Sequence, residues 1–566
     1  MIDTSTIELI NLSESKLFFY RQFVDCVNCP LIHSSSVSAS ENRTIKLRSY
    51  FDQNYVITQK NQTFWNPINV SSFCNLCESS CEKSFIALRD KAEFRLIIDN
   101  NLNCHLDVLN YGQNQWLNAS IVIIIFLALF SSIVYGHDRL DGFWKRFIRS
   151  ESPTMIDSPT STIAINPNSP TIPVSLVSKR FHSIDSFRGM TILLMIFVNY
   201  GAGNLTSLKH VPWDGFNLAD SVFPFFIFIM GSTIAVSFRN ISTINENRSK
   251  IITRILKRSM NLFVLGIIIN SIGSADIKTI RIPGVLQRFA LSYGIVALTQ
   301  LVTVNLITSS LMPRCLNCFK LWPQYALASI MLFIYLYFTL FWQFDQNCPI
   351  GYMGPGGLYD NISYPFCIGG AAHKIDEIIF TKNHCYRNNF GGVLYDQGLF
   401  NLWHDPEGLL GTTTSIILTV VGLQVGHTIL HNVQPWARFR RLINIVVILA
   451  IAACFSVFVL RIPINKNLWS FSFVALNGCL ATSIFIIFHY LIDHRKIWPK
   501  GYPLNYPGQN SIMLYLGHEI ANDMFPFKLA SSYSSHIGYL AQDLFSTAIW
   551  WIISCWMASK QIFITV

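Results

Sequence analysis

Apolar residues occur in long blocks along most of this chain, and short polar connectors separate the blocks. A typical block has about 20 residues, the length that an α-helix needs to cross the hydrocarbon core of a bilayer. The blocks predict ten transmembrane helices after residue 180, at approximately 189–204, 219–238, 258–273, 285–306, 322–342, 409–430, 442–460, 471–492, 509–526 and 541–559. A further block at Ile121–Tyr135 brings the predicted number to about eleven.

The first 118 residues follow a different pattern. They are polar overall, and short alternating runs at Thr44–Leu47 and Phe94–Ile98 are typical of β-strands. We therefore predict that residues 1–118 form a small β-rich domain and that the first transmembrane helix follows at 119–137.

Residues 138–182 are rich in Ser, Thr and Pro, and the stretch 150–178 contains no aromatic residue. This composition is typical of a disordered linker, because such a segment has too few apolar side chains to form a packed core. The membrane domain then covers residues 183–566. The predicted fold class is an all-α polytopic membrane protein with a small N-terminal β-rich domain that contains disulfides.

Basic residues indicate how the predicted helices are oriented. They cluster in alternate connectors, at 139–149, 239–258, 314–320, 438–441 and 495–500. Connectors rich in Lys and Arg face the cytosol in most membrane proteins. The intervening connectors, including the long one at 343–408, then face the lumen together with the N-terminal domain.

The N-terminal segment combines glycosylation sequons with an even number of cysteines. The sequons begin at Asn11, Asn42, Asn61, Asn69 and Asn118, and the cysteines are Cys26, Cys29, Cys74, Cys77, Cys81 and Cys104. In an oxidising lumen these cysteines favour disulfides, although the two CxxC pairs could alternatively bind a structural zinc ion. The connector 343–408 adds Cys348, Cys367 and Cys385, so one of these three has no partner within the connector.

The composition excludes two broad classes of protein. With 51% hydrophobic and only 13% charged residues, the chain is too apolar for an ordinary soluble globular protein. The formal net charge of +10 does not indicate nucleic-acid binding, because the basic residues lie in short connectors without interleaved aromatic residues. They indicate membrane topology instead.

The stretch from Phe181 to Arg239 contains most of the candidate chemistry. Two apolar runs are joined by a short polar loop that carries His210. Histidine has an ordinary pKa of ~6.5, so a loop histidine can exchange protons in a mildly acidic lumen. The alternative is an ordinary histidine of the membrane interface.

Three other polar residues of this stretch are candidates. Asn199 ends the first apolar run, and it could hold a substrate carbonyl, orient the imidazole or cap the helix. Asp214 and Asp220 could orient the histidine or accept a hydrogen bond from a sugar. Asp220 could equally be the N-cap of the following helix.

Two arginines are candidates for binding a ligand. Arg288 lies inside an apolar block, where a cation usually binds an anion or lines a pathway, and the alternative is an ion pair with Asp220 or Glu519. Arg258 follows two other basic residues and suits a nucleotide with several phosphates, although topology alone also explains this cluster. The chain has no P-loop or GxGxxG motif, so a nucleotide would have to bind among helices.

Asn510 and His518 lie on one predicted helix, which also carries Glu519. The two side chains could line the same cavity as His210. Alternatively, they could be buried and hydrogen-bonded for packing alone.

Five sequence blocks occur in a fixed order along the C-terminal part of the chain. They are the stretch Phe181–Arg239, RIPGVLQR at 281–288, DPEG at 405–408, IPINKNLW at 462–469 and NSIMLYLGH at 510–518. From about Phe181 to its end, the chain therefore resembles the heparan-alpha-glucosaminide N-acetyltransferase family. Residues 1–118 resemble this family only in placing a cysteine-containing domain ahead of a membrane span.

The resemblance implies an enzyme of the lysosomal membrane with a luminal N-terminal domain. Such an enzyme transfers an acetyl group from cytosolic acetyl-CoA to the terminal non-reducing glucosamine of luminal heparan sulfate during its degradation. His210 and Asn199 match active-site positions of the family. We assign Asp214, Asp220, Asn510 and His518 to substrate binding or orientation, and Arg258 and Arg288 to acetyl-CoA. No metal is expected; the implied partners are the two substrates and membrane lipid, with a homodimer as an open alternative.

Two questions of mechanism stay open on the sequence. His210 acts as a general base in the simplest mechanism, because an amine attacks a thioester only when it is neutral. It could instead carry the acetyl group transiently. One alternative function is a membrane transporter, because polar residues at membrane depth also mark substrate paths. Another is a related acyltransferase that acts on a different glycan.

Glycan mapping tests the predicted orientation. We expect glycans at Asn42, Asn61 and Asn361, and none at Asn240 or Asn247, because the basic residues place the last two sequons in the cytosol. The measurement is the gel shift on glycosidase treatment of single Asn→Gln variants. A glycan at Asn247 would reverse the orientation and the side on which His210 lies.

Overall fold

A computed structural model describes two regions of the chain. In the N-terminal region it describes residues 4–14, 16–23, 29, 32–48, 53–58, 80–85, 93–98 and 104–110. In the C-terminal region it describes residues 180–564, apart from 240–247, 273–275, 310–320, 387–401, 432–433 and 529–535. The helix predicted at 121–135 and nearly all of the predicted linker lie outside the described residues.

The described residues of the N-terminal region form eight strands. They are β1 Thr4–Asn11, β2 Leu17–Phe23, β3 Ile32–Val37, β4 Asn42–Arg48, β5 Gln53–Thr58, β6 Ser80–Phe85, β7 Glu93–Ile98 and β8 Cys104–Asn110. They form two four-stranded sheets with the orders β4-β1-β7-β8 and β3-β2-β5-β6, in which only the β1–β7 pair is parallel among the described strands. The expectation of a small strand-rich region is confirmed.

The two sheets bury alternate side chains between them. Ile7 and Leu9 of β1 pack in one apolar cluster with Leu17 and Phe19 of β2, which belongs to the other sheet. Residues i and i+2 of a strand point to the same face, so this spacing places one face of each sheet in a shared core. The alternating pattern read from the sequence therefore has a direct structural cause.

Two N-terminal sequence features have different outcomes. The side chain of Asn11 is 1% exposed and donates to the carbonyl oxygen of Ser38 at 2.8 Å, so the first asparagine of this sequon is buried in the folded domain. Asn42, by contrast, is exposed at the start of β4. Cys29 is disulfide-bonded, but its partner lies outside the described residues, and the full set of N-terminal disulfides stays a prediction.

The C-terminal region is helical. Its helices are α1 His182–Tyr200, α2 Leu218–Ser237, α3 Arg248–Asn270, α4 Val285–Ser309, α5 Trp322–Leu340, α6 Gly370–Phe380, α7 Leu409–His431, α8 Pro435–Phe458, α9 Phe471–Phe488, α10 Asn505–Gln509, α11 Ser511–Ile520 and α12 His536–Ser559. A π-helical turn at His489–His494 continues α9. Among the described residues, six helices are long and apolar enough to cross a membrane, namely α2, α4, α5, α7, α8 and α9.

The prediction of a membrane span at 509–526 needs correction. The helix there, α11, has only 10 residues and ends at Ile520. It is therefore about 15 Å long, half the thickness of the hydrocarbon core. The helix is interrupted at Asn510, between α10 and α11, because the backbone of Asn510 is not in the helical conformation.

Helices α2 and α7 pack closely because glycines lie at their contact. A Cβ atom on Gly422 would lie 2.0 Å from the carbonyl oxygen of Phe228, and one on Gly231 would lie 2.0 Å from that of Thr419. The hydroxyl of Ser232 donates to the carbonyl oxygen of Gly422 at 3.0 Å. Small residues and interhelical hydrogen bonds of this kind hold helices together inside a membrane.

The bundle has two ends, which we name after the residues that lie there. The His210 end carries the α1–α2 connector, the connector before α7 and the segment between α8 and α9. At this end Trp213 donates to the carbonyl oxygen of Met353 at 3.0 Å, and Cys29 of the N-terminal region packs in the same apolar cluster as Trp213. Cys29 of the N-terminal region and Met353 of the connector 343–408 thus lie at the same end of the bundle. The compartment that this end faces stays a prediction.

The connector 343–408 contains one disulfide among its described residues. Cys348 is bonded to Cys367, and Cys385 is buried with a free thiol. The prediction that one of the three cysteines has no partner in the connector is confirmed.

Substitution at Gly422 tests the close α2–α7 contact. We expect Gly422→Ala to lower the free energy of unfolding by about 1–3 kcal/mol, because the new methyl group meets backbone that cannot move aside. The measurement is the midpoint temperature for loss of monodisperse protein in detergent. Gly478→Ala is the matched control, since a Cβ there meets only the ends of the Leu449 and Leu418 side chains, at 3.2 and 3.4 Å. Equal effects of both changes would contradict the packing argument.

Candidate functional site

The loop that carries His210 begins with an abrupt end of α1. Gly201 follows Tyr200 with a φ of 124°, and Gly203 has a φ of 68°, both in the region that favours glycine. The amide N–H of Gly203 donates to the carboxylate of Asp543 at 2.8 Å, and His536 contacts its carbonyl oxygen at 3.0 Å. Helix α12 therefore fixes the glycine turn from which the rest of the loop extends.

His210 and Asp220 form the central pair of the loop. The Nδ1 atom of His210 lies 2.8 Å from Oδ1 of Asp220. A carboxylate can only accept, so Nδ1 carries the proton and Nε2 has the lone pair. The sequence identified both residues as candidates, and the structure shows that their side chains are in contact.

Asp220 also caps helix α2. The N-cap is Asn217, whose backbone N–H donates to Oδ2 of Asp220 at 3.0 Å in a capping box. The alternative that Asp220 is itself the N-cap is therefore wrong, because the N-cap lies three residues earlier. Asp220 nevertheless caps the helix through its side chain. With 1% of its area exposed, this single carboxylate serves the helix and the histidine together.

Burial lowers the pKa of His210, the nearby positive charge of Lys466 lowers it further, and the Asp220 carboxylate opposes both effects. The side chain still exposes 45% of its area, which moderates the cost of charging the ring. His210 therefore stays neutral at a lower pH than an ordinary exposed histidine does.

The segment between α8 and α9 holds the His210 loop from one side. Gly215 donates its N–H to the carbonyl oxygen of Ile464 at 3.0 Å, and the Asn467 side chain donates to the carbonyl oxygen of Pro212 at 3.0 Å. Asn465 donates to the Asp214 carboxylate at 3.4 Å. Asp214 thus joins two loops, and partial burial raises its pKa to about 6.

Asn199 lies in a second polar group at the same end. Its side-chain nitrogen is 2.9 Å from Nε2 of His518 and 3.1 Å from the Glu519 carboxylate. Nδ1 of His518 lies 3.0 Å from the carbonyl oxygen of Leu514, so Nδ1 is the donor and Nε2 accepts from Asn199. The structure therefore places Asn199 and His518, which were separate candidates, in contact. The C-terminal end of α11 thus lies beside the C-terminal end of α1.

Asn510 lies at the opposite end of α11 from His518. Its side chain donates to the carbonyl oxygen of Ile562 and accepts from the N–H of Ile564, both at 3.1 Å, and it is 0% exposed. It holds the C-terminal segment after α12. These contacts favour the alternative that Asn510 is buried and hydrogen-bonded for packing, and a straight helix places it about 12 Å from His518.

Arg288 is 1% exposed and lies beside backbone carbonyls rather than a carboxylate. Its Nη2 donates to the carbonyl oxygens of Pro406 and Gly408 at 3.1 and 3.0 Å, and its guanidinium carbon is 4.6 Å from the centre of the Trp469 ring. The alternative ion pair with Asp220 or Glu519 is therefore wrong. Within the described part of the chain, its Nε and Nη1 have no hydrogen-bond partner.

Sequence reasoning missed the ion pair next to Arg288. Arg281 donates through Nε and Nη2 to both oxygens of Asp405, at 2.9 and 2.5 Å, and it also contacts Glu407. The carboxylates raise the pKa of Arg281, and the guanidinium holds the pKa of Asp405 below its usual value. The signal was present, since RIPGVLQR and DPEG are two of the five sequence blocks.

A cavity of about 640 Å³ opens at the Arg258 end of the bundle. Four arginines lie along it, namely Arg180, Arg188, Arg239 and Arg258. Asp185 pairs with Arg180 at 2.6 Å and lies 3.6 Å from Arg188, so it offsets only part of their charge. A mouth with this excess of guanidinium groups suits a ligand with several phosphates.

The deeper walls of the cavity are apolar. Phe223, Phe226 and Phe289 line it together with Met195 and Tyr515. The Phe223 ring packs against Trp469 at a centroid distance of 5.0 Å. Phe223 and Asp220 lie three residues apart on α2, about 4.5 Å along the helix axis. Phe223, which lines the cavity, is therefore less than one helical turn from the carboxylate that contacts His210.

No group of three or more His, Cys, Asp or Glu side chains among the described residues is arranged to bind a metal ion.

Comparison with known proteins finds relatives of this chain in mouse and human. No protein-family model matches it. Heparan-alpha-glucosaminide N-acetyltransferase of Mus musculus is 37% identical over 408 residues, which cover 68% of this chain and 60% of the mouse protein. The Homo sapiens protein of the same name is 35% identical over 471 residues, which cover 79% of this chain and 69% of the human protein. The chain thus spans less than two thirds of the mouse protein and slightly more of the human one.

Proposed function

Because the chain belongs to the heparan-alpha-glucosaminide N-acetyltransferase family, we propose that it transfers an acetyl group from cytosolic acetyl-CoA to the terminal glucosamine of heparan sulfate across a membrane. Acetyl-CoA enters the cavity at the Arg258 end, and the glucosamine approaches His210 from the other side. The membrane is that of the lysosome, and the acetylated product is an intermediate of heparan sulfate degradation.

One observation supports this proposal above the others. The cavity and the His210–Asp220 pair approach the same turn of α2 from opposite ends of the bundle, through Phe223 and Asp220. A donor in the cavity and an acceptor beside His210 would then meet without either molecule crossing the membrane. This arrangement suits group transfer better than transport, in which the substrate itself must pass.

The residues of the cavity fit acetyl-CoA. The arginines at its mouth can bind the phosphates by charge-assisted hydrogen bonds, and Arg258, whose guanidinium lies 4.6 Å from the Tyr293 ring centre, is held in place there. The phenylalanines deeper in the cavity suit the long, weakly polar pantetheine arm. Arg288 does not line the described cavity, but its Nε and Nη1, which have no partner among the described residues, suit an electron-rich oxygen of the donor or of the transition state.

His210 accepts the proton of the acceptor amine at Nε2. The amine nitrogen forms a bond to the thioester carbonyl carbon, the carbon–sulfur bond breaks, and CoA leaves as a thiolate that takes up the proton. Asp220 fixes the tautomer and stabilises the imidazolium that forms. The same lone pair could attack the thioester directly, so a transient acetyl-histidine is the second form of this mechanism.

Asn199, His518 and Glu519 form the polar group that would receive the acceptor sugar. Their carboxylate, amide and imidazole offer both donors and acceptors to sugar hydroxyls. Asp214, which joins two loops through Asn465, shapes the same face of the site. An acceptor from another glycan, and a homodimeric assembly, remain alternatives for experiment.

Replacing His210 tests the chemical step. We expect His210→Ala to fold and bind CoA normally, yet to lower acetyl transfer to glucosamine by a factor on the order of 10²–10⁴. The measurement is single-turnover transfer at saturating acetyl-CoA. In the wild type, transfer should fall on acidification as His210 takes up a proton. That fall should begin below the usual histidine range, because burial lowers the pKa of His210.

The matched control is His494→Ala. His494 is exposed on the π-helical turn after α9, at the Arg258 end, so this change should leave transfer close to wild type. Equal rates for wild type and His210→Ala would remove His210 from catalysis and make Asn199 and His518 the next candidates.

Replacing Arg258 tests donor binding separately. We expect Arg258→Ala to raise the KM for acetyl-CoA about tenfold, the effect of losing one charge-assisted hydrogen bond, with little change in kcat. Arg254→Ala is the matched control, because Arg254 lies one turn away on α3 outside the described lining of the cavity. A fall in kcat with unchanged KM would contradict the assignment of the arginines to the donor.

A further inference from the structure

One sequence block, IPINKNLW at 462–469, contains a charged residue that the mechanism above does not use. Lys466 lies between Asn465 and Asn467, whose side chains bind the His210 loop at Asp214 and Pro212, at 3.4 and 3.0 Å. The turn itself is rigid, because Oδ1 of Asn465 accepts from the N–H of Leu468 at 3.0 Å. The two asparagines therefore hold the backbone of Lys466 against the loop that carries His210.

Charged groups from four elements interact electrostatically with Lys466 or with His210 beside it. They are Asp220 of α2, Arg288 of α4, Glu407 in the turn before α7, and His210 of the loop. The Asp220 carboxylate already binds His210 and the N–H of Asn217, and Glu407 already binds Arg281. Neither acid is therefore dedicated to neutralising Lys466, and its ammonium acts on His210 as a nearby like charge.

We propose that Lys466 is a positioning residue for the proposed reaction, whose positive charge keeps His210 in its neutral, proton-accepting form when the surroundings are acidic. Two neighbouring groups cannot both be cationic without a mutual cost, and burial increases that cost. Burial lowers the pKa of Lys466, but the ordinary pKa of lysine is about four units above that of histidine, so Lys466 keeps its proton in preference to His210. The same charge disfavours protonation of an acceptor amine that is bound beside His210.

Asp220 and Lys466 thus have opposite effects on one imidazole. Asp220 orients the ring through Nδ1 and favours its protonation, whereas Lys466 disfavours protonation. An oriented histidine that still titrates low is what a base needs in a mildly acidic compartment. This inference rests on the proposed role of His210, but the titration of His210 can be measured without any acetyl transfer.

The test is the rate at which diethyl pyrocarbonate modifies His210 in the full-length protein, followed by mass spectrometry across the acidic range. The reagent reacts with neutral imidazole, so its rate follows the titration of the ring. We expect Lys466→Met to raise the midpoint and to slow modification roughly threefold or more at about pH 5.5. Lys466→Arg should keep the wild-type midpoint, because the charge is retained.

Two further variants fix the sign and the specificity of the effect. Lys209→Met makes the same chemical change at the residue next to His210 in sequence, and it should move the midpoint much less. Asp220→Asn should move it in the opposite direction, because a group that favours protonation is lost. An unchanged midpoint in Lys466→Met, with Lys466→Arg also unchanged, would overturn the proposal.

Acetyl transfer gives a second reading. With Lys466→Met we expect kcat/KM to fall mainly at acidic pH, and an equal loss at every pH would also overturn the proposal. If the wild type transfers no acetyl group to glucosamine while the His210 midpoint still moves in Lys466→Met, the proposed function fails and the electrostatic coupling stands. The two failures are therefore distinguishable.

Discussion

The buried carboxylate of Asp220 is the interaction on which the site depends. It accepts from the N-cap residue of α2 and so fixes where this helix begins, and it also binds Nδ1 of His210. A carboxylate that is 1% exposed has to be compensated by several donors, and here the donors come from both the helix and the loop. The position of the histidine is thereby coupled to the position of the helix that reaches the cavity.

The bundle separates two chemical environments with little overlap. The Arg258 end presents guanidinium groups around an apolar cavity, and the His210 end presents histidines, carboxylates and loop amides. Between them, Phe223 packs on Trp469, and Trp469 lies beside Arg288. These aromatic contacts suit the proposed reaction, in which the two substrates meet from opposite ends of the bundle.

Several charged side chains at the His210 end are held by more than one element. Arg281 joins the start of α4 to Asp405, and Asp405 in turn accepts from the N–H of Tyr386 at 2.9 Å. The turn before α7 is thus fixed by ionic and backbone contacts, and it supplies the carbonyl oxygens that hold Arg288. Buried ionic networks are costly unless they are fully paired. Among the described residues, Nε and Nη1 of Arg288 have no partner, which is an exception that suits a bound group.

The sequence by itself determined the broad features of this protein. Apolar block lengths gave the helices, alternation gave the strands around Thr44–Leu47 and Phe94–Ile98, and the five ordered blocks gave the family. These features are local or compositional, so they are visible along the chain. Tertiary structure alone decided that His210 pairs with Asp220, that Asn199 meets His518 and that Asn510 lies at the other end. Such contacts join residues 10 to 319 positions apart, and only the packed chain brings them within hydrogen-bond distance.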